Sequence, residues 1–289
     1  MAGIGHFVSA QAQADYLRLY DDLIGEIPGQ RETRDVETAF GRVRVYRFGP
    51  DDDATPIVLL HGRGATSAMW EPNLPVLAAA RPVYAIDSLG EPGRSVQTVP
   101  ISSSQDQADW LREVLDQLGL ERVHLAGVSG GGWLAFNLAL HAPERLASIS
   151  LLEPAHVFAK FSKRFLLGGF ALIPGLPDRF GERFLGWVSG GPSMDLPVAR
   201  LLTQGLRDYR MKLPMPSYGS DAVLRALRVP VLALLGGRSV VHDPRVAVRR
   251  AQSLVPDCEA ELWPDASHAI SGEYPTQISE RILRFVSQL

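Results

Sequence analysis

The sequence predicts an α/β fold: a mostly parallel central sheet flanked by helices, with a helical cap inserted after the strand that ends at Glu153. Three observations carry this. The apolar runs "PIVLLHG", "PVYAIDS", "VHLAGVSG", "LASISLLEP" and "PVLALLGG" are continuous rather than alternating, and turn residues bound each of them. A strand apolar at both alternate sets of positions is covered on both faces, as in a parallel sheet. Helix-length segments separate most of these runs, which supplies the crossover connections that parallel strands need. Between Glu153 and Pro230 the order breaks, and aromatic residues mix with glycine and proline.

The elements follow in order. Residues 1–30 hold an N-terminal helical segment. "VETAFGRVRVYRFG" (36–49) alternates apolar and polar residues around Gly41, as a half-exposed hairpin does. Residues 31–154 and 223–289 make the core. Residues 155–222 make the cap, with short helices expected in "FAKFSKRFLLGGFALIPGLPDRFGERFLGWVSGG" and "DLPVARLLTQGLRDY". A chain of 289 residues, 46% hydrophobic, can bury one large core, so this is one domain with an insertion.

Charge and cysteine usage narrow the function. A formal charge of −3 with scattered arginines gives no general attraction to nucleic acid, which favours a small-molecule partner. Cys258 is the only cysteine, so it has no intrachain partner and is a bystander thiol. No phosphate-binding glycine loop or metal-ligand cluster is visible, and no cofactor or metal is expected. The N-terminus lacks the basic start and apolar core of an export signal. "FLLGGFALIPGLP" (165–177) is too short and too broken to span a bilayer. The expectation is a cytoplasmic protein without stable membrane insertion.

"VHLAGVSGGGWLAFNLALHAPERL" carries the chemistry. A strand runs into Gly127-Val128-Ser129-Gly130-Gly131 and then a helix, which is the G-x-S-x-G nucleophile elbow in its required context. The turn strains the serine backbone, so the positions two residues to either side must lack bulk. Ser129 precedes a helix N-terminus, whose free amides favour negative charge. Gly130 N–H is the first expected oxyanion donor, and Arg63 N–H, behind His61-Gly62, is the second. His61 is read as a brace for that turn.

With these pieces the chain resembles the α/β-hydrolase superfamily over nearly its whole length, through "HGRG", "AIDSLGEPGRS" (85–95), "GVSGG" and "DASHAI" (265–270). "MWEPNLPVLAAARPVYAIDSLGEPGRS" and "LLEPAHVFAKF" are most similar to a bacterial carboxylesterase-like branch. Asp87 belongs to the strand-end pattern and reads as a turn-stabilising carboxylate. His268, between the last strand and the terminal helix "PTQISERILRFV", lies where the family keeps its base. His124 and His141 are more simply structural, while His156 and His242 fall on loops near the cleft.

The acid is where the sequence departs from the family. Its usual position, shortly after the strand's glycine, holds Ser239, which cannot hold an imidazolium. Asp243 lies four residues late, and "HDPRVAVRRA" also reads as a helix N-cap with proline at the first helical position. Glu153 ends the strand following the one that bears Ser129, and a carboxylate there points into the crevice where such sheets bind ligands. That placement resembles a branch of the haloalkane dehalogenases, though those enzymes attack with aspartate. Glu153 is the preferred acid and Asp243 the alternative. Capping, or pairing with a cap arginine, is the simpler role for Glu153.

The reading that follows is a serine hydrolase cleaving carboxylic esters of small or medium apolar acids through an acyl-enzyme. Thioester, lactone or carbon–carbon bond hydrolysis on the same triad is the enzymatic alternative, and a non-catalytic ligand receptor the alternative from another class. Phe158, Phe161, Phe165 and Trp187 of the cap are expected to contact the acyl group, with packing the cap onto the body as their simpler role.

Overall fold

The structure, a computed structural model, describes residues 3–29, 31–172, 177–191 and 196–289. Its strands are β1 (His6–Phe7), β2 (Arg31–Thr38), β3 (Gly41–Phe48), β4 (Ile57–Leu60), β5 (Val83–Ile86), β6 (Val96–Gln97), β7 (Val123–Val128), β8 (Leu146–Leu152), β9 (Tyr209–Arg210), β10 (Val231–Gly236) and β11 (Cys258–Trp263). The main sheet runs in the order β11-β10-β8-β7-β4-β5-β3-β2, with β6 pairing on β3. From β11 to β5 every pairing is parallel. β3 joins antiparallel to β5 and carries the β2–β3 hairpin, which turns at Ala39 and Phe40 just before Gly41. Gly41 has φ 137, and a Cβ there would lie 2.1 Å from Val96 O on β6, so the position requires glycine.

The continuous apolar runs have a direct structural reason. Successive residues of a strand face opposite sides. Val58, Leu60, Tyr84, Ile86, Ile149, Leu151, Val231, Ala233 and Leu235 enter one core, and Ile57, Leu59, Val83, Ala85, Leu152, Leu232 and Leu234 enter the other. α3 (Ser104–Gln117), α4 (Gly130–His141), α8 (Asp221–Arg225) and α9 (Pro244–Leu254) cover the first side; α1 (Ala10–Glu26), α2 (Leu74–Ala80), α10 (Ile270–Glu273) and α11 (Pro275–Val286) cover the second. α1 is amphipathic at helical spacing, burying Tyr16, Tyr20 and Ile24, and Ser9 caps its first turn.

The insertion after β8 contains α5 (Lys163–Gly168), a 3₁₀ turn over Gly169–Leu172, α6 (Asp178–Val188) and α7 (Pro197–Asp208). Residues 173–176 of the apolar run 165–177, and residues 192–195 of the expected cap, lie outside the described residues. α8, which begins at Asp221, runs through residue 223, where the core was expected to resume. In the N-terminal segment, β1 pairs antiparallel with β9, Val8 N–H donates to Asp208 O at 2.8 Å, and α1 packs on α7. Among the described residues no helix is long and apolar enough to cross a membrane.

Cys258 is half-buried on β11, and burial, followed by the flanking Asp257 and Glu259, pushes its thiol up to about 12, so it carries no thiolate near neutrality. His124 sits inside β7 with Nδ1 2.8 Å from Ser148 Oγ. Burial first, and then Arg81 and Arg122, lower its pKa from 6.5 to about 4. As pH falls, the unfolded chain takes up a proton on this ring near 6.5, whereas the folded chain resists until about 4. The stability that His124 contributes above pH 6.5 is therefore lost between 6.5 and 4. Urea midpoints measured across that window should fall in the wild type and fall less in His124→Gln.

Candidate functional site

β7 ends at Val128, and Ser129 follows in a strained turn with φ 51 and ψ −110 before α4 begins at Gly130. The chain reverses so tightly that a Cβ on Gly127 would stand 2.3 Å from Gly131 O, and one on Gly131 would stand 2.3 Å from Leu60 O. Small neighbours are thus obligatory at the elbow. The strained turn is pinned from the adjacent strand: Ser129 N–H donates to Leu152 O and Ala155 N–H donates to Ser129 O, both at 3.0 Å. Gly130 opens the helix, so its amide has no intrahelical acceptor. The Arg63 backbone lies alongside, since a Cβ on Gly130 would be 3.2 Å from Arg63 N.

Glu153 follows β8, one strand away, also at positive φ (48), and it is completely buried. Oε1 accepts from Gly236 N–H at 2.7 Å; Oε2 accepts a short hydrogen bond from Ser239 Oγ and lies 2.9 Å from His268 Nδ1. Burial alone would raise this carboxyl, but the nearby His242 and the His268 bond outweigh it and hold the group well below the usual carboxylate range. Ser239, at the family's usual acid position, is a donor to Glu153. The His268 loop reaches the Glu153 carboxylate because β10 ends in Gly236, where a Cβ would meet Ser267 O at 2.5 Å and Ala266 O at 2.7 Å.

Asp243 does something else. It is the exposed N-cap of α9, and its Oδ1 accepts from Arg245 N–H and Val246 N–H at 3.0 and 3.1 Å, with Pro244 at the first helical position. The structure brings Glu153, not Asp243, to His268.

The remaining candidates separate into supports and wall. His61 Nε2 accepts from Ser88 N–H at 2.9 Å, which leaves the proton on Nδ1, 2.8 Å from Gly62 O; the ring braces two strand-end turns. Asp87 accepts from Tyr20 Oη, Ser67 N–H and Arg94 N–H, tying α1 to the same turns. Beside the elbow a small cleft is lined by Arg63, Gly130, Trp133, Leu134, Leu213 and Pro214, among others. The Arg63 guanidinium closes one side through Met211 Sδ at 2.8 Å and Leu213 O at 3.4 Å, and Trp133 Nε1–H donates to Ser217 O at 3.0 Å.

Phe158 needs correction: it is 1% exposed and belongs to the main core with Val157, Ala159 and Leu224, so it cannot line an acyl site. Phe161 stacks on His156 with ring centroids 4.7 Å apart, and the series continues through Phe165 and Phe184 to Trp187. Among the described residues no group of acidic, histidine and cysteine side chains could hold a metal ion.

A strained serine on a helix N-terminus and a histidine bonded to a buried carboxylate, all at strand ends of a parallel sheet, invite comparison with known proteins. The model of the alpha/beta hydrolase family matches residues 57–281. The chain belongs to the alpha/beta hydrolase family. Within that family it is carboxylesterase-like. It is 36% identical to an uncharacterized carboxylesterase, nap, of Bacillus subtilis, covering 93% of this chain and 91% of that protein. It is 31% identical to carboxylesterase YbfK of the same organism, covering 97% and 96%. Among solved structures, the naproxen esterase (carboxylesterase NP) of B. subtilis superposes with a TM-score of 0.88 at 33% identity, covering 96% of this chain and 99% of that one.

Sequence reasoning missed the Ser239 bond to Glu153, the approach of His242 to the same carboxylate, and the strap formed by residues 211–217. Ser239 could have been found by asking what a relocated acid would need as a donor in the place it leaves empty. The geometry at Gly236 makes a definite expectation: Gly236→Ala, whose methyl meets backbone rather than flexible side chain, should lower the unfolding free energy by about 1–3 kcal/mol, read by urea denaturation. An unaltered midpoint would show that the His268 loop adapts freely.

Proposed function

We propose that this carboxylesterase-type hydrolase cleaves carboxylic esters of small or medium apolar acids, with Ser129 as nucleophile, His268 as base and Glu153 as acid. The observation that carries the reading is the 2.9 Å contact between His268 Nδ1 and the fully buried Glu153 carboxylate, at the strand end next to the strained Ser129 turn. The carboxylate fixes the tautomer: Nδ1–H donates to Glu153, and Nε2 is left to accept the Ser129 proton. A carboxylate held ionised by its surroundings can also stabilise the imidazolium that forms.

Ser129 Oγ attacks the ester carbonyl as His268 Nε2 takes its proton. The carbonyl electron pair moves to oxygen, and the Gly130 and Arg63 amides donate to that oxyanion; one such donor contributes about 10²–10³-fold in rate. Collapse breaks the bond to the alcohol, which leaves with the proton from His268. Water then repeats the sequence on the acyl-enzyme, releasing the acid and restoring Ser129. The apolar wall of Trp133, Leu134 and Leu213 beside the oxyanion position supports an apolar acyl group, and Phe161, Phe165 and Trp187 extend apolar surface through the cap.

p-Nitrophenyl esters of rising acyl length, together with fluorophosphonate labelling of Ser129, test this reading. Ser129→Ala should remain folded and lose both turnover and label; full activity in that variant would end the assignment. Glu153→Gln should lower kcat by about two to four orders of magnitude, by analogy with amide replacement of a triad aspartate. Asp243→Asn keeps a good N-cap and should cost far less. The reverse ranking of these two would return the acid to the loop after β10.

A further inference from the structure

His242 is among the most thoroughly buried polar side chains of the protein, with 1% of the side chain exposed. It lies on the loop between β10 and α9, directly before the Asp243 cap. Among the described residues neither of its ring nitrogens has a hydrogen-bond partner, yet Nε2 stands 3.5 Å from Glu153 Oε1. That separation is too long for a good hydrogen bond and short for a charge contact in a dry site. A ring present only for its volume would be better served by an apolar residue, because unpartnered polar atoms are costly to bury.

The carboxylate is therefore flanked on both oxygens. His268 meets Oε2 and His242 approaches Oε1, while Gly236 N–H and Ser239 Oγ fill the positions between them. Four other charged or titratable groups on these elements turn elsewhere. Arg238 donates to Gly190 O and Asp265 O, Asp243 accepts from the first amides of α9, Glu273 accepts from Ser267 N–H, and His156 bonds Pro216 O. Two imidazoles are thus left to share one buried negative charge.

We propose that His242 is a positioning residue for catalysis, sharing the buried carboxylate of Glu153 with His268. The inference rests on the triad proposed above. Its consequence is competition: a charge on His242 would use part of the attraction that Glu153 offers to a charge on His268. His268 must be neutral in the free enzyme to accept the Ser129 proton. Removing His242 leaves His268 as the one imidazole beside the carboxylate, and an opposite charge less shared favours the imidazolium.

The test is the pH profile of kcat/KM for p-nitrophenyl acetate in His242→Gln, with side-chain ¹⁵N NMR of the histidines in the wild type. The acid limb, which reports the free enzyme's base, should move to higher pH in the variant. The two wild-type rings should show mutually dependent titration curves. A folded His242→Gln enzyme with its limb at the wild-type position overturns the inference, because a role in packing alone scales activity without shifting the profile. Should that variant not fold, independent single-site curves for the two wild-type rings overturn it equally. Glu153→Gln run alongside separates the two readings: a fully active Glu153→Gln sinks the triad itself, whereas an inactive one with an unmoved His242→Gln limb leaves the triad and removes only His242.

Discussion

A carboxylate with no exposed surface has to find all its donors inside the protein, and much of the local architecture follows from that demand at Glu153. The donors come from three separate places: the end of β10, the loop after it, and the loop that carries His268. None of the three could be displaced alone without leaving ionised oxygen unsatisfied. The demand explains the glycine at 236, since a larger residue would hold the two loops apart. It explains the hydroxyl at 239 as well, where a second carboxylate would sit against the first and repel it.

The sheet makes this concentration of polar groups tolerable. Its inner strands are buried from both sides by two large apolar cores, so the ends of β7 and β8 are anchored firmly enough to hold unfavourable backbone angles. The three non-glycine residues at positive φ among the described residues are Ser129, Glu153 and His156, and all lie just beyond those two strands. Local strain and chemistry thus share one edge of the fold, while the supports Asp87 and His61 hold the neighbouring turns by ordinary hydrogen bonds.

How legible this was depended on the range of the interaction. Both-face burial writes itself into sequence as continuous apolar runs, and the tight elbow writes itself as Gly127 and Gly131; each is a local requirement visible in a few adjacent residues. His268 was legible through its position between β11 and α11. Glu153 could be ranked above Asp243 because it ends a strand facing the crevice, because Ser239 fills the usual acid position, and because Asp243 already had a sufficient role in "HDPR", which the structure displays as the cap of α9. Contacts spanning long stretches of chain left no such trace. Ser239 meeting Glu153, Arg63 meeting Met211 and β1 meeting β9 are pairings of residues with ordinary local surroundings. Phe158 misled because an aromatic residue in an aromatic-rich insertion looks the same whether it points to a cleft or to the core.

The pairing of β1 with β9 also has a meaning in time. His6 and Phe7 leave the ribosome roughly 200 residues ahead of Tyr209 and Arg210, with which they pair. At about 5–20 residues per second, that interval is roughly 10–40 s. For that period the opening strand has no edge to join, and α1 lacks the α7 surface on which it comes to rest. Closing so long a loop is slow relative to local helix formation. This early segment is thus among the last to find its place, against an insertion whose two ends are held by β8 and β10.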